Sequence, residues 1–162
     1  MRVFVPMTMS GLRRLHARGR LGQPPTFGCA VTPYLRDYYS QADEEELEYL
    51  ILGAAAHDSL RLLAADPDEE RRRVVVAVEA PDGAVLPDPG AGRTAVLVSV
   101  DVALAQVVAV HVDGPEAMAA IAAATRAADA ADLGDVGAAE IVAAAEDHEL
   151  LWYGTQEIPY LL

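Results

Sequence analysis

The sequence predicts an α/β domain of α+β-like character, in which helices pack on one mixed β-sheet of about five to six strands. Short runs rich in β-branched and aromatic residues alternate with helical runs, which is typical of helices packed on a sheet. About half of the residues are apolar, and 162 residues is the size of one domain. We therefore expect a single domain over residues 1–162.

Each element follows from its local pattern. Strands are predicted where β-branched and aromatic residues cluster, at 2–7, 26–31, 73–80, 96–101, 107–112 and 150–153. Helices are predicted after residues that cap them, which are Thr8 or Ser10, Thr32 with Pro33, Asp43 with Glu46, and Asp113 with Glu116. The helix that runs to Ala65 has the strongest pattern. An Ala-rich helix is predicted over 138–146, and a loop over 81–93.

The order of the elements also predicts how two pairs of strands are arranged. The unit made of 107–112, a helix and 150–153 predicts one right-handed parallel crossover. The direct succession of the strands at 73–80 and 94–101 predicts an antiparallel pair elsewhere in the sheet.

Charge and hydropathy exclude several classes of function. The formal net charge is −13, which argues against nucleic acid or an anionic membrane as a partner. No apolar run is long enough for a membrane span, and the first residues do not form a signal peptide, so we expect a cytoplasmic protein. The single cysteine, Cys29, is predicted to be a small buried side chain rather than a reactive thiol.

The polar residues at strand ends give one hypothesis for a small-molecule site. If the strands run parallel and adjacent, their ends and the following helix N-termini meet in a cleft suited to a small anion. The residues that would bind the ligand are Thr8, Ser10, Thr32, His111, Asp113 and Thr155. The alternative is that the residues preceding helices are N-caps and that His111 is a partly buried histidine with no ligand role.

An uneven charge distribution gives a second hypothesis, a protein-binding surface. Residues 1–40 carry six arginines and one aspartate, whereas residues 41–162 carry six arginines and 24 acids. Tyrosines also cluster near Arg36. The predicted partner-binding residues are Arg13, Arg14, Arg18, Arg20, Tyr34, Arg36 and Tyr38. The alternatives are that the basic segment packs on the acidic body within the fold, and that the tyrosines belong to the core.

Several stretches resemble those of a family of short actinobacterial proteins that open with "MRVFVP" and have no assigned activity. These stretches are Met1–Pro6, Ala30–Pro33, Asp43–Tyr49, Arg71–Glu79, Ala109–Ala117 and Leu150–Tyr153. The resemblance covers nearly the whole chain. It implies an actinobacterial source and a cytoplasmic location, and it assigns no functional residue.

Binding is the function that the sequence favours. It contains no glycine-rich phosphate loop, no nucleophile elbow and no histidine pair at metal-ligand spacing, so we predict no catalytic residue, cofactor or metal ion. We expect a non-catalytic interaction or regulatory domain that binds a protein partner or forms a homo-oligomer. The alternative is a small enzyme or sensor that binds an anionic metabolite at the strand ends.

Overall fold

One antiparallel sheet organises the fold, as a computed structural model that describes residues 1–162 shows. Its seven strands are β1 (Arg2–Met7), β2 (Thr26–Cys29), β3 (Val74–Glu79), β4 (Val85–Pro87), β5 (Ala95–Val98), β6 (Val107–Val112) and β7 (Leu151–Tyr153). They lie in the order β4-β5-β2-β1-β3-β6-β7, and every neighbouring pair is antiparallel. The α/β class is confirmed, whereas the mixed sheet of five to six strands is wrong.

Three predictions about individual strands and their pairing are also wrong. The seventh strand, β4, lies inside the segment 81–93 that was predicted as a loop. The strand β7 returns antiparallel to β6 after two helices, so the predicted parallel crossover does not form. The strand β5 pairs with β2 and β4 rather than with β3.

The structure has six helices, of which the first five lie close to their predicted positions and the short last one was not predicted as a helix. They are α1 (Met9–Arg18), α2 (Pro33–Tyr38), α3 (Glu44–Ala65), α4 (Met118–Asp132), α5 (Val136–Glu146) and α6 (Ile158–Leu161). Thr8, Thr32 and Asp43 each accept a hydrogen bond from a backbone N–H of the first helical turn, as predicted for N-caps. Asp113 does not cap a helix, because its carboxylate is bound to Arg73 instead.

The long helix α3 is fixed at its start by a reciprocal cap. Asp43 Oδ1 accepts the N–H of Glu46 at 2.9 Å, and Glu46 Oε2 accepts the N–H of Asp43 at 3.0 Å. Further along, the buried hydroxyl of Ser59 donates to the carbonyl of Met7 at 2.7 Å and accepts the N–H of Val74 at 3.0 Å. The middle of the helix therefore satisfies backbone groups at the end of β1 and the start of β3.

Both faces of the sheet are covered. One face packs against α1, α6 and the segment around Val102, and it holds the larger apolar cluster. The other face packs against α2 and α3 through Leu35, Leu47 and Ile51. A third cluster joins the end of α3 to α4 and α5. The helix α3 thus lies on the sheet face that extends through β6 to the edge strand β7.

Gly28 shows how closely the strands of this sheet pack. A Cβ atom at this position of β2 would lie 2.5 Å from Cγ1 of Val3 and 3.1 Å from the carbonyl oxygen of Phe4. Both distances are shorter than ordinary van der Waals contact, so only glycine fits here without a shift of β1.

Candidate binding groove

The strand ends predicted to form one cleft lie at two opposite ends of the sheet. Because β1 and β6 run in one direction and β2 and β7 in the other, the residues that follow β1 and β6 lie at one end. Thr32 and Thr155, which follow β2 and β7, lie at the other. The single convergent cleft is therefore not formed, and a ligand role for these residues stays a prediction.

The N-terminus of α1, which was part of the predicted anion site, already binds a carboxylate of the chain itself. The carboxylate of Glu69 accepts the hydroxyl of Thr8 at 3.0 Å and the N–H of Ser10 at 3.4 Å. Burial raises the pKa of Glu69, but the hydrogen bonds from Ser10 and Thr8 outweigh it, so the net pKa is lowered. The start of α1 thus binds an internal carboxylate.

Three other predicted ligand residues also use their polar atoms inside the fold. Thr32 is buried and donates its hydroxyl to the carbonyl of Arg93. Thr155 donates to the carbonyl of Val107 at 2.8 Å. Asp113, fully buried, forms the ion pair described next. Among the predicted ligand residues, His111 lines a cavity, which is described below.

Arg73 and Asp113 form a buried, bidentate ion pair at the end of the sheet. Asp113 Oδ2 accepts the backbone N–H of Arg73 at 2.8 Å and its Nε–H at 2.9 Å, while Oδ1 accepts Nη2–H at 2.8 Å. Arg73 Nη2 also donates to the carbonyl of His148 at 2.7 Å. The pair therefore ties β3 to the residue after β6 and to the segment that connects α5 with β7.

Most of the arginines predicted to bind a partner form ion pairs within the chain. Arg13 pairs with Glu70, Arg20 with Asp101 and Arg36 with Glu44, whereas Arg14 and Arg18 lie exposed and in no ion pair. The basic first segment thus packs partly on acidic side chains, which was the alternative interpretation. These pairs are exposed, so solvent screens the attraction and each pair contributes little to stability.

The tyrosines of α2 lie at the surface rather than in the core. Tyr34 and Tyr38 are exposed, and only Leu35 of this helix is buried. The guanidinium of Arg93 lies 3.9 Å from the centre of the Tyr38 ring, a cation–π contact. One face of the Tyr38 ring is therefore in contact with Arg93 from the loop that precedes β5, although the side chain stays 60% exposed.

A groove beside the long helix α3 has the features of a binding site. It runs between α3 and the edge of the sheet, and consists of two adjoining cavities of about 490 and 300 Å³. Tyr49, Leu52, His111 and Trp152 line both cavities. We call this feature the edge groove. Tyr49 is 69% exposed and Trp152 is 62% exposed, so two large aromatic side chains lie open to solvent beside it.

The rim of the edge groove is acidic. Four glutamates line it, and they are Glu45, Glu48, Glu146 and Glu149. Two arginines also line it, but each is already paired: Arg73 with Asp113, and Arg2 with Glu79, whose Oε1 lies 2.9 Å from its Nε. The groove therefore presents an excess of negative charge next to apolar and aromatic surface.

Two histidines near the groove have opposite shifts. Burial lowers the pKa of His111, whose ring lies 6.0 Å from that of Phe4, so this imidazole stays neutral at pH 7. His57 lies 2.5 Å from Oε1 of Glu146, and this hydrogen bond, opposed by burial, raises its pKa. The His57–Glu146 contact joins α3 to α5 behind the groove.

Comparison with known protein families shows to which family the chain belongs. Over residues 1–162 the sequence matches the model of DUF6912, a family of unknown function. The chain belongs to this family. Neither the curated proteins nor the solved structures gave a match. The match agrees with the resemblance to a family of no assigned activity, while the actinobacterial source stays a prediction.

The single thiol of this DUF6912 chain is not among the residues that line the edge groove. Burial, followed by the nearby charge of Asp58, raises the pKa of the Cys29 thiol to about 12, so it stays protonated. No cluster of three or more His, Cys, Asp or Glu side chains could hold a metal ion. No helix is both long and apolar enough to cross a membrane.

Sequence reasoning missed most of this groove. Its residues come mainly from α3, β6, β7 and the segment after α5, with further contributions from β1, β3 and the end of α5, and only His111 was a candidate. One signal was available in the sequence. The acidic start of α3, Glu44–Tyr49, and the aromatic strand β7, Leu151–Tyr153, carry more polar and aromatic side chains than the core needs.

Proposed function

We propose that this protein is a non-catalytic cytoplasmic interaction domain whose edge groove binds a segment of a protein partner that carries basic and apolar side chains. The observation that carries the proposal is the combination of exposed aromatic rings with unpaired carboxylates in one groove. The carboxylates of Glu45, Glu48 and Glu149 take part in no ion pair or hydrogen bond within the chain.

The chemistry of the groove favours a cationic partner. Unpaired carboxylates attract arginine or lysine, and the faces of Trp152 and Tyr49 can stack on a guanidinium or an aliphatic side chain. The net charge of −13 adds a long-range attraction to the same kind of partner.

A glycine in α3 supports binding in the groove. Gly53 lies in the middle of this 22-residue helix and lines the larger cavity. A Cβ atom there would meet nothing within 4 Å, so internal packing does not require glycine. Glycine costs about 1 kcal/mol relative to alanine in a helix interior, whereas the missing side chain widens the groove.

Two other functions have less support. Self-association through this groove would bring the same carboxylates of two copies together, and like charges repel. Binding of an anionic metabolite at the strand ends would need residues that lie at opposite ends of the sheet and are bonded to the chain itself. We therefore place the binding site in the edge groove rather than on the arginines of α1.

Peptide selection tests the proposal directly. The immobilised protein is used to select from a random peptide-display library, and we expect enriched peptides to combine arginine or lysine with aromatic or branched aliphatic residues. Their binding is measured through the fluorescence of Trp152, the only tryptophan of the chain. Affinity should fall as salt is raised, because salt screens the attraction between exposed charges.

Matched variants show whether the selected peptides bind in the groove. Gly53→Leu places a bulky side chain in the larger cavity and leaves the helix at least as stable, so it should block binding there, while Gly53→Ala should bind and melt at a higher temperature. Glu149→Lys should weaken binding, and Glu140→Lys, on the exposed part of α5 outside the groove, should not. Selection of acidic peptides, or equal affinity for Gly53→Leu and wild type, would contradict the proposal.

A further inference from the structure

The partner segment of the proposed function has a defined way to bind: we infer that it adds to the sheet as an extended antiparallel strand along β7. This inference rests on the proposed function and specifies how the same groove is used. It starts from the position of β7, which ends the sheet and pairs with β6 on one side only.

The hydrogen-bond alternation of the sheet shows which backbone groups of β7 are free. Asp113 donates its N–H to the carbonyl of Arg73 on the β3 side, so the residue before it, Val112, directs its backbone groups to β7. Val112 lies opposite Leu151. The next residue, Trp152, therefore points its N–H and C=O away from the sheet, where no strand of the chain lies.

The free edge is short, and its ends are defined. By the same alternation Leu150 directs its N–H and C=O outward, next to those of Trp152. At the other end, the N–H of Gly154 is already taken by Oε2 of Glu157 at 2.7 Å. The available groups are thus two N–H donors and two C=O acceptors in one row, enough for a strand of four to five residues, by a rough count of strand geometry.

The two edges of the sheet differ in how they are protected. The opposite edge strand, β4, ends in Pro87, which cannot donate a hydrogen bond to an added strand. The strand β7 has the sequence Leu-Trp-Tyr and contains neither a proline nor a charge. Leu151 is 43% exposed and Trp152 62% exposed. An unprotected apolar edge of this kind pairs readily with another chain.

The charges beside β7 identify the chemistry of the added strand. The side chain of Trp152 points to the edge groove, and Leu151 and Tyr153 point to the other face of the sheet. In an antiparallel pair, directly opposite residues share a face. Every second side chain of the partner therefore faces Trp152 and the glutamates and is basic, and the side chains between them lie beside Leu151 and Tyr153 and are apolar.

A synthetic heptapeptide that alternates arginine and valine, acetylated and amidated at its ends, is the probe. An antiparallel strand opposite Trp152 directs the backbone N–H groups of its arginines toward β7 and those of its valines to solvent. Methylation of the arginine backbone nitrogens should therefore abolish binding, at about fivefold to tenfold per lost hydrogen bond. Methylation of the valine nitrogens should leave the affinity within about twofold of the parent peptide.

Amide hydrogen exchange of the protein gives an independent readout. On binding the parent peptide, the amides of Leu150 and Trp152 should become protected, while those of Leu151 and Tyr153, already bonded to β6, should change little. Absence of binding at about 1 mM peptide, or equal weakening by both methylation patterns, overturns strand addition. If the peptides selected from the library still bind the wild type and not Gly53→Leu, the proposed function survives that failure; if they bind neither, it fails as well.

Discussion

Removal of one charge from the Arg73–Asp113 pair should cost a large part of the stability of this domain. Asp113→Asn keeps the shape of the side chain but leaves the guanidinium of Arg73, itself 2% exposed, without a counter-charge. Three hydrogen bonds to the carboxylate are affected, two from the guanidinium and one from the backbone. Breaking a buried pair in this way costs about 3–5 kcal/mol, out of a total that is typically about 5–15 kcal/mol.

The double variant Arg73→Met with Asp113→Asn separates the charge from the shape. It leaves no buried charge, and the amide oxygen of Asn can still accept the backbone N–H at position 73. We therefore expect the double variant to be more stable than Asp113→Asn alone. If the two side chains were independent, the cost of the double variant would instead equal the sum of the two single costs. Equilibrium unfolding in urea measures the wild type, the single variants Asp113→Asn and Arg73→Met, and the double variant, with an unchanged slope as the control for two-state behaviour.

The result that would refute this reasoning is specific. If Asp113→Asn lowers the free energy of unfolding by less than about 1 kcal/mol, the pair is no stronger than an exposed one. If the costs of the two single substitutions simply add in the double variant, the two side chains do not act as a pair.

Three further substitutions and one thiol reagent test other parts of the structure. Ser59→Ala removes the hydroxyl that satisfies two buried backbone groups, and it should lower the urea-unfolding free energy by about 1–3 kcal/mol for each group left unpaired; Ser59→Thr, which keeps the hydroxyl, is the control. Gly28→Ala should cost about 1–3 kcal/mol by overpacking, and an unchanged melting temperature would count against the close contact. The hydrogen bond to Glu146 raises the pKa of His57, so the stability it contributes is complete below about pH 6.5 and is lost as the pH rises through the folded-state pKa. His57→Gln should therefore remove this pH dependence from the midpoint of urea unfolding. The effect should be less than about 1 kcal/mol, because both side chains are more than a third exposed. Cys29 should resist a thiol reagent at pH 8 in the native protein and react after unfolding, and fast reaction of the native thiol would refute its burial.

The helix ends could be predicted from the sequence because the interactions that fix them are local. Asp43 and Glu46 lie three residues apart and form the cap by themselves, and Thr8 and Thr32 need only the next turn. Asp113 shows the limit of such reasoning. Its position before Glu116 fits a cap, but Arg73, 40 residues away, offers two guanidinium donors, and the carboxylate binds there instead.

Strand order could not be predicted because it depends on pairings between distant segments. The strand β5 has the same apolar pattern as any buried strand, and nothing within it selects β2 over β3 as a neighbour. The same is true of β7, which would suit a parallel or an antiparallel place beside β6. The antiparallel arrangement then decides which polar strand ends lie together, and so the predicted cleft depended on information that the sequence patterns do not contain.

The charge pattern of the sequence predicts a binding surface on the arginines of the first 40 residues, and this stays a prediction, whereas the groove that we propose is acidic. The arginines of the first 40 residues are largely paired with carboxylates of the body, which reduces their field, while Glu45, Glu48 and Glu149 stay unpaired. Twelve arginines cannot pair with all 25 aspartates and glutamates, so some acidic surface must remain free. Part of that free acidic surface lies next to the exposed ring of Trp152 and an unpaired strand edge, and this coincidence of charge, apolar surface and free backbone groups is why we place the binding site there.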